Sequence, residues 1–428
     1  AGLVAVVGLA LVVLGGAFVR STAPAGGGGL SRRARTGRFL VSLVVAGVAF
    51  RALLAVLLRQ LDLNMALGGD EGTFHDNALV FAAWLDGRIP QPFQERWADY
   101  SQVGYFAFVG TCYHLFGEVQ LVPVLVNCAV GALAAVPVHR MAARLGGDLA
   151  GRATAVLVTF FPSLVLWSCL MVRDALVFFL VAWGACLGQR LLRRFDVRAV
   201  VLLVGSLALL ATLRTYIFLL LGGALCAAFL ASTVRRPARA AAVAAISALA
   251  VVVLVRGAGL GQEFVSDDVL VRLDEQRRLN ALVGRTAIDI GTHDLTTPAG
   301  ALTYLPVGLV YFVFAPFPWQ MGGRQMLALP DIVLWYACLP LVVLGVLHVL
   351  RRRGTLASVP LIAALSIAAL YALVEGNVGI IVRHRAQMIV LLLPFAGVAI
   401  ARRVRERARR AAEERAALLR RLRPRSFP

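Results

Sequence analysis

Two adjacent carboxylates stand in the segment Gly69-Asp70-Glu71-Gly72-Thr73-Phe74-His75-Asp76-Asn77. A carboxylate placed beside a membrane can take the proton of an acceptor hydroxyl or hold a divalent metal. Asp is also a favoured helix N-cap. A helix pattern follows, with Ala78, Phe81, Ala82 and Leu85 on one face, so capping is an equal reading of Asp70. His75 lies four residues beyond Glu71 and can share its helical face. His75 and Asp76 are candidates for substrate contact, with a structural role as the plainer reading.

The second set is basic. Arg173-Asp174 sits between two apolar runs with almost no loop, Arg214-Thr215-Tyr216 separates two more, and Arg383-His384-Arg385 precedes a late apolar run. A charge at membrane depth costs about 2.5–3.5 kcal/mol on insertion scales, so such residues usually face a cavity. A forked guanidinium stays charged and suits a phosphate. Arg173, Arg214, Arg383 and Arg385 are therefore candidates for binding the head group of an anionic lipid. Asp174 would be a second carboxylate facing Asp70, and Tyr216 and His384 are neighbouring substrate contacts. Turn-stabilising ion pairs and snorkelling anchors are the plain alternatives. Arg51 lies mid-span and should face the bundle interior. Trp319, in Phe314-Ala315-Pro316-Phe317-Pro318-Trp319-Gln320, suits an interfacial aromatic belt, with lipid or sugar contact as the alternative.

Apolar helices must position these groups. The chain of 428 residues is 60% apolar and 15% charged, with a mean hydropathy of +0.80. That composition excludes a water-soluble enzyme, a disordered chain and a disulfide-stapled domain. All 43 basic residues are Arg, so chemistry that needs a lysine is excluded as well. Such usage suggests a bacterium with a GC-rich genome. The net charge of +20 is explained by loops facing anionic lipid, without nucleic acid. The six Cys lie in apolar stretches with no CxxC pair and read as packing residues. The chain begins without Met and shows no signal-peptide cleavage pattern.

Eleven spans are predicted, at 1–19, 39–58, 119–139, 153–171, 175–192, 199–213, 215–232, 240–255, 329–350, 356–374 and 386–401. Arg-rich loops at 20–38, 140–152, 190–198, 235–239, 351–353 and 402–428 carry 29 of the Arg and five acidic residues. They fall on one side only if 101–117 and 301–318 do not span. Those stretches are read as juxtamembrane or re-entrant helices on the other face, where loops 59–118 and 256–328 hold most of the carboxylates. The expected fold is an all-α, polytopic integral-membrane bundle over 1–401 with a basic amphipathic tail over 402–428. The cytoplasmic side follows from the Arg bias, and the acidic loops are then extracytoplasmic. The polar stretch 262–294 reads as a lid or acceptor-docking loop.

With these residues in view, the chain resembles polytopic GT-C glycosyltransferases, in the branch of the lipid A aminoarabinose transferase and the protein O-mannosyltransferases. The resemblance rests on Asp70-Glu71 after an early span, the amphipathic helix that follows, and Val103-Gly104-Tyr105 … Leu115-Phe116-Gly117. It continues through Arg144-Leu145-Gly146-Gly147, Pro162, Ser163 and Arg173-Asp174, and late in the chain Arg383 followed by Pro394. It covers 39–195 well and the late spans loosely. Phe74-His75 replaces a Tyr of the family, and His384 replaces its late aromatic residue. The resemblance implies a cell-membrane glycosyltransferase with a polyprenyl-phosphate-linked sugar as donor and an extracytoplasmic glycan, lipid or protein hydroxyl as acceptor. Asp70 would be the catalytic carboxylate, supported by Glu71 and Asp174, and the Arg set would stabilise the departing phosphate. No cofactor is required, and a divalent metal at Asp70, Glu71 and His75 stays open. A lipid-linked sugar flippase and an O-antigen-type polymerase or ligase centred on Arg383-His384-Arg385 are the rival readings.

Overall fold

A backbone inside a bilayer must satisfy its own hydrogen bonds, and the α-helix does so within one segment. The computed structural model describes residues 30–67, 69–90, 102–232, 269–282, 287–288, 294–320 and 328–422, and among these it is helical with no strand. The early helices are α1 (Leu30–Gln60), α2 (Leu63–Leu67), α3 (Glu71–Leu85), α4 (Val103–Phe116), α5 (Leu121–Leu133) and α6 (Ala135–Gly146). The middle ones are α7 (Asp148–Phe160), α8 (Pro162–Leu166), α9 (Asp174–Arg193), α10 (Val197–Leu213) and α11 (Thr215–Ser232). Then follow α12 (Val269–Leu282), α13 (Pro298–Phe314), α14 (Leu329–Val374) and α15 (Val378–Leu422). Six of the described helical stretches are long and apolar enough to cross a membrane. The chain is a multi-pass membrane protein.

The predicted spans at 1–19 and 240–255 and the basic loop at 235–239 lie outside the described residues, as does most of 262–294 apart from α12. The remaining spans coincide with helices, except 153–171. Spans 329–350 and 356–374 are two helices that meet at Arg353, where the backbone leaves helical φ/ψ, and α14 names the pair; Trp335 of the first and Tyr371 of the second both reach the end of α13, at Val313 and Phe312. The two doubtful stretches are α4 and α13, of 14 and 17 residues. At 1.5 Å per residue they are about 21 and 25 Å long, and α10, which coincides with a predicted span, has the same 17 residues as α13. The tail continues α15 without a break through residue 401 to Leu422.

Among the described residues the basic loops meet at one end of the bundle. Thr36 Oγ1 donates to Asp148 at 3.1 Å, and Arg152 pairs with the same carboxylate at 2.9 Å. His139, with Nε2 3.5 Å away, and then the Arg152 charge hold the Asp148 carboxyl well below the usual range. Arg405 reaches Gly146 O at 2.8 Å and Arg353 reaches Arg144 O. Gln189, near the end of α9, donates to Leu356 O at 2.8 Å. Asp174 opens α9, and Arg383 lies in the second turn of α15, so both stand at the opposite end.

Span 153–171 differs from expectation. The helix stops at Phe160, restarts briefly as α8, and leaves 167–173 non-helical and largely buried. The break has a specific cause. Pro162 has no N–H to give to α7. Ser163 N donates instead to Asp331 Oδ1 at 2.9 Å. The carbonyl of Thr159 is thereby freed, and Arg51 Nη1 takes it at 2.8 Å while Arg51 Nε bonds Ser168 Oγ at 2.8 Å. Gly47 permits this approach, since a Cβ there would lie 2.7 Å from Thr159 Cγ2. Arg51 is fully buried, as its mid-span place requires. Downstream, Asn127 Nδ2 holds Leu170 O and Val172 O at 2.9 and 3.0 Å, and Glu71 Oε1 accepts from Met171 N at 2.6 Å.

Replacing Arg51 with Leu leaves the Thr159 carbonyl without its donor at membrane depth, and an unmade buried hydrogen bond costs about 1–3 kcal/mol. Arg51→Leu and Asp331→Leu are each expected to lower the thermal midpoint of the detergent-solubilised protein. Thermal scanning followed by size-exclusion chromatography measures it.

Candidate functional site

Helix ends carry the charged residues together. The buried loop 167–173 delivers Arg173 and Asp174 to the start of α9. The α10–α11 junction is broken by Arg214 in an extended conformation (φ −154°, ψ 93°). Asp70 is the N-cap residue of α3, yet its side chain makes no capping hydrogen bond. Its carboxylate is used elsewhere: Arg383 Nη1 donates to Asp70 Oδ2 at 2.6 Å. The same guanidinium donates through Nε to Asp174 Oδ2 at 2.7 Å. Arg214 Nη2 meets the other oxygen of Asp174 at 3.1 Å. Asp174 is 1% exposed and Asp70 56% exposed, so one guanidinium joins a buried carboxylate to an open one.

Aromatic groups fix the arginines. Arg214 Nη1 donates to the hydroxyls of Tyr371 at 2.8 Å and Tyr216 at 3.0 Å. Arg383 lies over the Trp167 ring, 5.5 Å from its centroid. Arg173 Nη1 donates to Leu213 O at 2.8 Å, while its Nε has no partner among the described residues. Three guanidinium groups against two carboxylates leave one positive charge in excess. Such a set can receive one anionic group in its low-dielectric surroundings.

The other candidates divide. His384 adjoins the cluster, with Nδ1 at 2.6 Å from Glu375 Oε1 and its ring stacked on Tyr371. Arg385 lies two residues past Arg383, about 200° round the helix, and donates instead to Val313 O at 2.8 Å. Glu71 is buried and bonds Asn64 Nδ2 at 2.9 Å and Met171 N, with Arg59 at 3.9 Å. His75 turns to α4, where Nδ1 meets Tyr113 OH at 2.9 Å and Nε2 lies 3.3 Å from Glu118. Asp76 is exposed on α3. Trp319 is 78% exposed and stacked on Phe317. Asp70, Glu71 and His75 thus have separate partners, and among the described residues no three His, Cys, Asp or Glu side chains form a metal-binding group. The structure adds Tyr371, Trp167 and Glu375 to the neighbourhood. Tyr371 and Glu375 are one helical turn apart at the end of an apolar run, a spacing that marks a shared face.

Removing one partner of a buried ion pair typically costs about 3–5 kcal/mol, because the other charge is stranded. Asp174→Asn strands Arg214 and Arg383 and is expected to reduce folded yield and thermal stability sharply. Asp70→Asn breaks a half-open pair and should change stability by no more than about 1 kcal/mol. The thermal midpoints of the two purified variants test this contrast.

No family model matches the chain, and no curated protein sequence does. Solved structures are similar to it, two of them as follows. One is ArnT from Cupriavidus metallidurans bound to undecaprenyl phosphate, with TM-score 0.48 and 16% identity, covering 83% of this chain and 60% of that one. The other is the archaeal oligosaccharyltransferase AglB from Archaeoglobus fulgidus, in complex with an inhibitory peptide and a dolichol-phosphate. Its TM-score is 0.48 and its identity 12%, covering 90% of this chain and 52% of that one. The chain therefore spans between half and three fifths of the length of each of these proteins.

Proposed function

We propose that this protein is a membrane glycosyltransferase that moves a sugar from a polyprenyl-phosphate donor to an acceptor hydroxyl on the extracytoplasmic face. The observation that carries the reading is Arg383 held between buried Asp174 and open Asp70. The resemblance of the sequence to GT-C glycosyltransferases points the same way. The side follows from charge: the basic loops gather at one end, which the positive-inside bias assigns to the cytoplasm.

In this reading Asp174 is structural to the site. It keeps Arg214 and Arg383 charged and aimed at a common point. The donor phosphate competes with Asp70 for Arg383. Once the phosphate engages that guanidinium, Asp70 is released to act as base. The acceptor hydroxyl gives its proton to Asp70, and its oxygen attacks the anomeric carbon. The bond from that carbon to the phosphate oxygen breaks, its electron pair stays on the phosphate, and the configuration inverts. Base catalysis of this kind supplies about 10²–10⁴-fold. Each positioned donor on the developing charge supplies about 10²–10³-fold more. Pairing with Arg383 before the donor arrives keeps the base inactive toward water.

Purified protein in lipid vesicles, given a labelled polyprenyl-phosphate sugar and an acceptor extract, should release polyprenyl phosphate. Asp70→Asn should lower that release by about 10²–10⁴-fold with donor binding retained. Unchanged turnover in this variant removes Asp70 as the base. Translocation of the intact lipid-linked sugar without bond cleavage would favour a flippase. Loss of transfer in His384→Ala but not in Asp70→Asn would favour the polymerase-type reading.

A further inference from the structure

The turn between α14 and α15 holds a carboxylate that the proposed mechanism leaves unused. Glu375 is 2% exposed, and both its oxygens are engaged. Oε1 lies 2.6 Å from His384 Nδ1, and Oε2 accepts from Asn280 Nδ2 at 3.2 Å. Asn280 belongs to α12, which clamps the turn. A Cβ on Gly376 would lie 2.4 Å from Arg277 O, and Ile288 N donates to Gly376 O at 2.9 Å. The His384 ring is fixed from a second side. It stacks on Tyr371 with centroids 4.4 Å apart and planes 22° apart. Tyr371 OH in turn accepts from Arg214, the guanidinium that pairs with Asp174. Among the described residues His384 Nε2 has no hydrogen-bond partner, and the side chain keeps 12% of its surface open.

Resting on the function proposed above, we infer that Glu375 and His384 form a hydrogen-bond-donating dyad for the donor phosphate: His384 Nε2–H contacts a phosphate oxygen beside Arg214 and Arg383, and Glu375 positions it. An imidazole with Nδ1 committed to one partner has its tautomer set by that partner. If Glu375 carries the shared proton, Nδ1 is the acceptor and Nε2 must hold the N–H. If Glu375 is ionised, Nδ1 holds the proton and Nε2 offers a lone pair, which repels phosphate. The environment decides between these. Burial pushes the Glu375 carboxyl up to about 8, against the pull of the Arg214 and Arg383 charges and the Asn280 hydrogen bond. The groups facing the dyad are Arg214 between α10 and α11, Arg383 on α15, Arg173 before α9, Tyr216 on α11 and Tyr371 on α14. On α12 the facing group is Asn280, with the Asp274–Arg277 pair one turn earlier. At neutral pH the carboxyl is protonated and Nε2 is a donor. Above about 8 the shared proton is lost and Nε2 turns acceptor. A hydrogen bond given by an uncharged ring strengthens as charge develops on the departing phosphate, and it adds no cation to a cluster already in positive excess.

Glu375→Gln separates this role from a packing role. The Gln oxygen can accept from Asn280 while its N–H donates to Nδ1, which fixes the Nε2–H form at every pH. Donor KM and kcat/KM of the wild type are expected to worsen as pH rises from 7 to 9, and Glu375→Gln should lose that alkaline limb while staying within severalfold of wild type at pH 7. His384→Phe keeps the stack on Tyr371 and removes the donor, so kcat/KM should fall about 10²-fold. A wild-type profile flat to pH 9, an alkaline limb that persists in Glu375→Gln, or wild-type kcat/KM in His384→Phe overturns the dyad. The wild-type profile needs no variant to fold. Binding of polyprenyl phosphate itself at pH 7 and 9, read by tryptophan fluorescence, reports on the dyad without turnover. If the wild type cleaves no lipid-linked sugar, the proposed reaction fails, and this binding shift alone decides the dyad. If Asp70→Asn abolishes transfer while His384→Phe does not alter it, only the dyad fails.

Discussion

A carboxylate buried among apolar helices persists only when paired, and Asp174 has a guanidinium on each oxygen. Everything else at this end of the bundle follows from that arrangement. Two charges of one sign cannot be held beside each other away from water without a counterion between them, so Asp174 is what allows Arg214 and Arg383 to converge. Arg383 has a fork to spare and spends it on Asp70, which lies toward solvent. A buried pair is weak as a source of stability. It is strong as a fixed field, because charges held in a low-dielectric site act on a ligand without first reorganising. The absence of Lys from the chain fits this use. A guanidinium can serve two carboxylates through separate N–H groups, whereas an ammonium is a single point of charge.

Delivering Asp174 to that point requires non-helical backbone at membrane depth, which is tolerated only where protein groups satisfy it. The stretch 159–173 meets this condition with side chains drawn from distant helices. Arg51, Asp331, Asn127 and Glu71 each take one or more of its orphaned backbone groups. Glu71 is the informative member. Adjacent to Asp70 in sequence, it is spent on a backbone N–H of the loop and not on Arg383. The Asp70-Glu71 pair therefore divides its work: one carboxylate pairs with Arg383 and the other holds the loop that delivers Asp174.

The helices were legible because a 3.6-residue repeat of uninterrupted apolar residues leaves little alternative in a bilayer. Arg173, Arg214 and Arg383 were also legible, since positive charge at the acidic end of a span runs against both hydropathy and the Arg bias. What could not be read was direction. Arg383 and Arg385 carry the same signal in sequence, and only helix phase separates the one on Asp174 from the one on Val313 O. The break after Phe160 was hidden for a related reason. Pro162 is visible in the sequence, but a proline inside a span can kink or end it, and the outcome depends on Asp331 and Arg51 arriving from elsewhere. Glu375 stands before Gly376-Asn377 with nothing local to mark its pairing to His384.

The charged cluster also collects helix beginnings. Glu71 starts α3, Asp174 starts α9, Thr215 starts α11 and Val378 starts α15, all at this end. Each N-terminus carries a partial positive charge of about half a unit, from N–H groups without an intrahelical partner. Together with three guanidinium groups these ends would expel one another were Asp70 and Asp174 not among them. The carboxylates thus have a second consequence. They lower the field enough for the bundle to close, and under the proposed function the remaining positive charge receives the phosphate that displaces Asp70 from Arg383. The opposite end shows the contrast. There His139, Asp148, Arg152 and Thr36 bond to one another, the loops are tied by backbone carbonyls, and the exposed Arg residues face outward along α15. One end of the bundle uses its charge to fasten loops, and the other keeps one guanidinium shared between a buried partner and an exchangeable one.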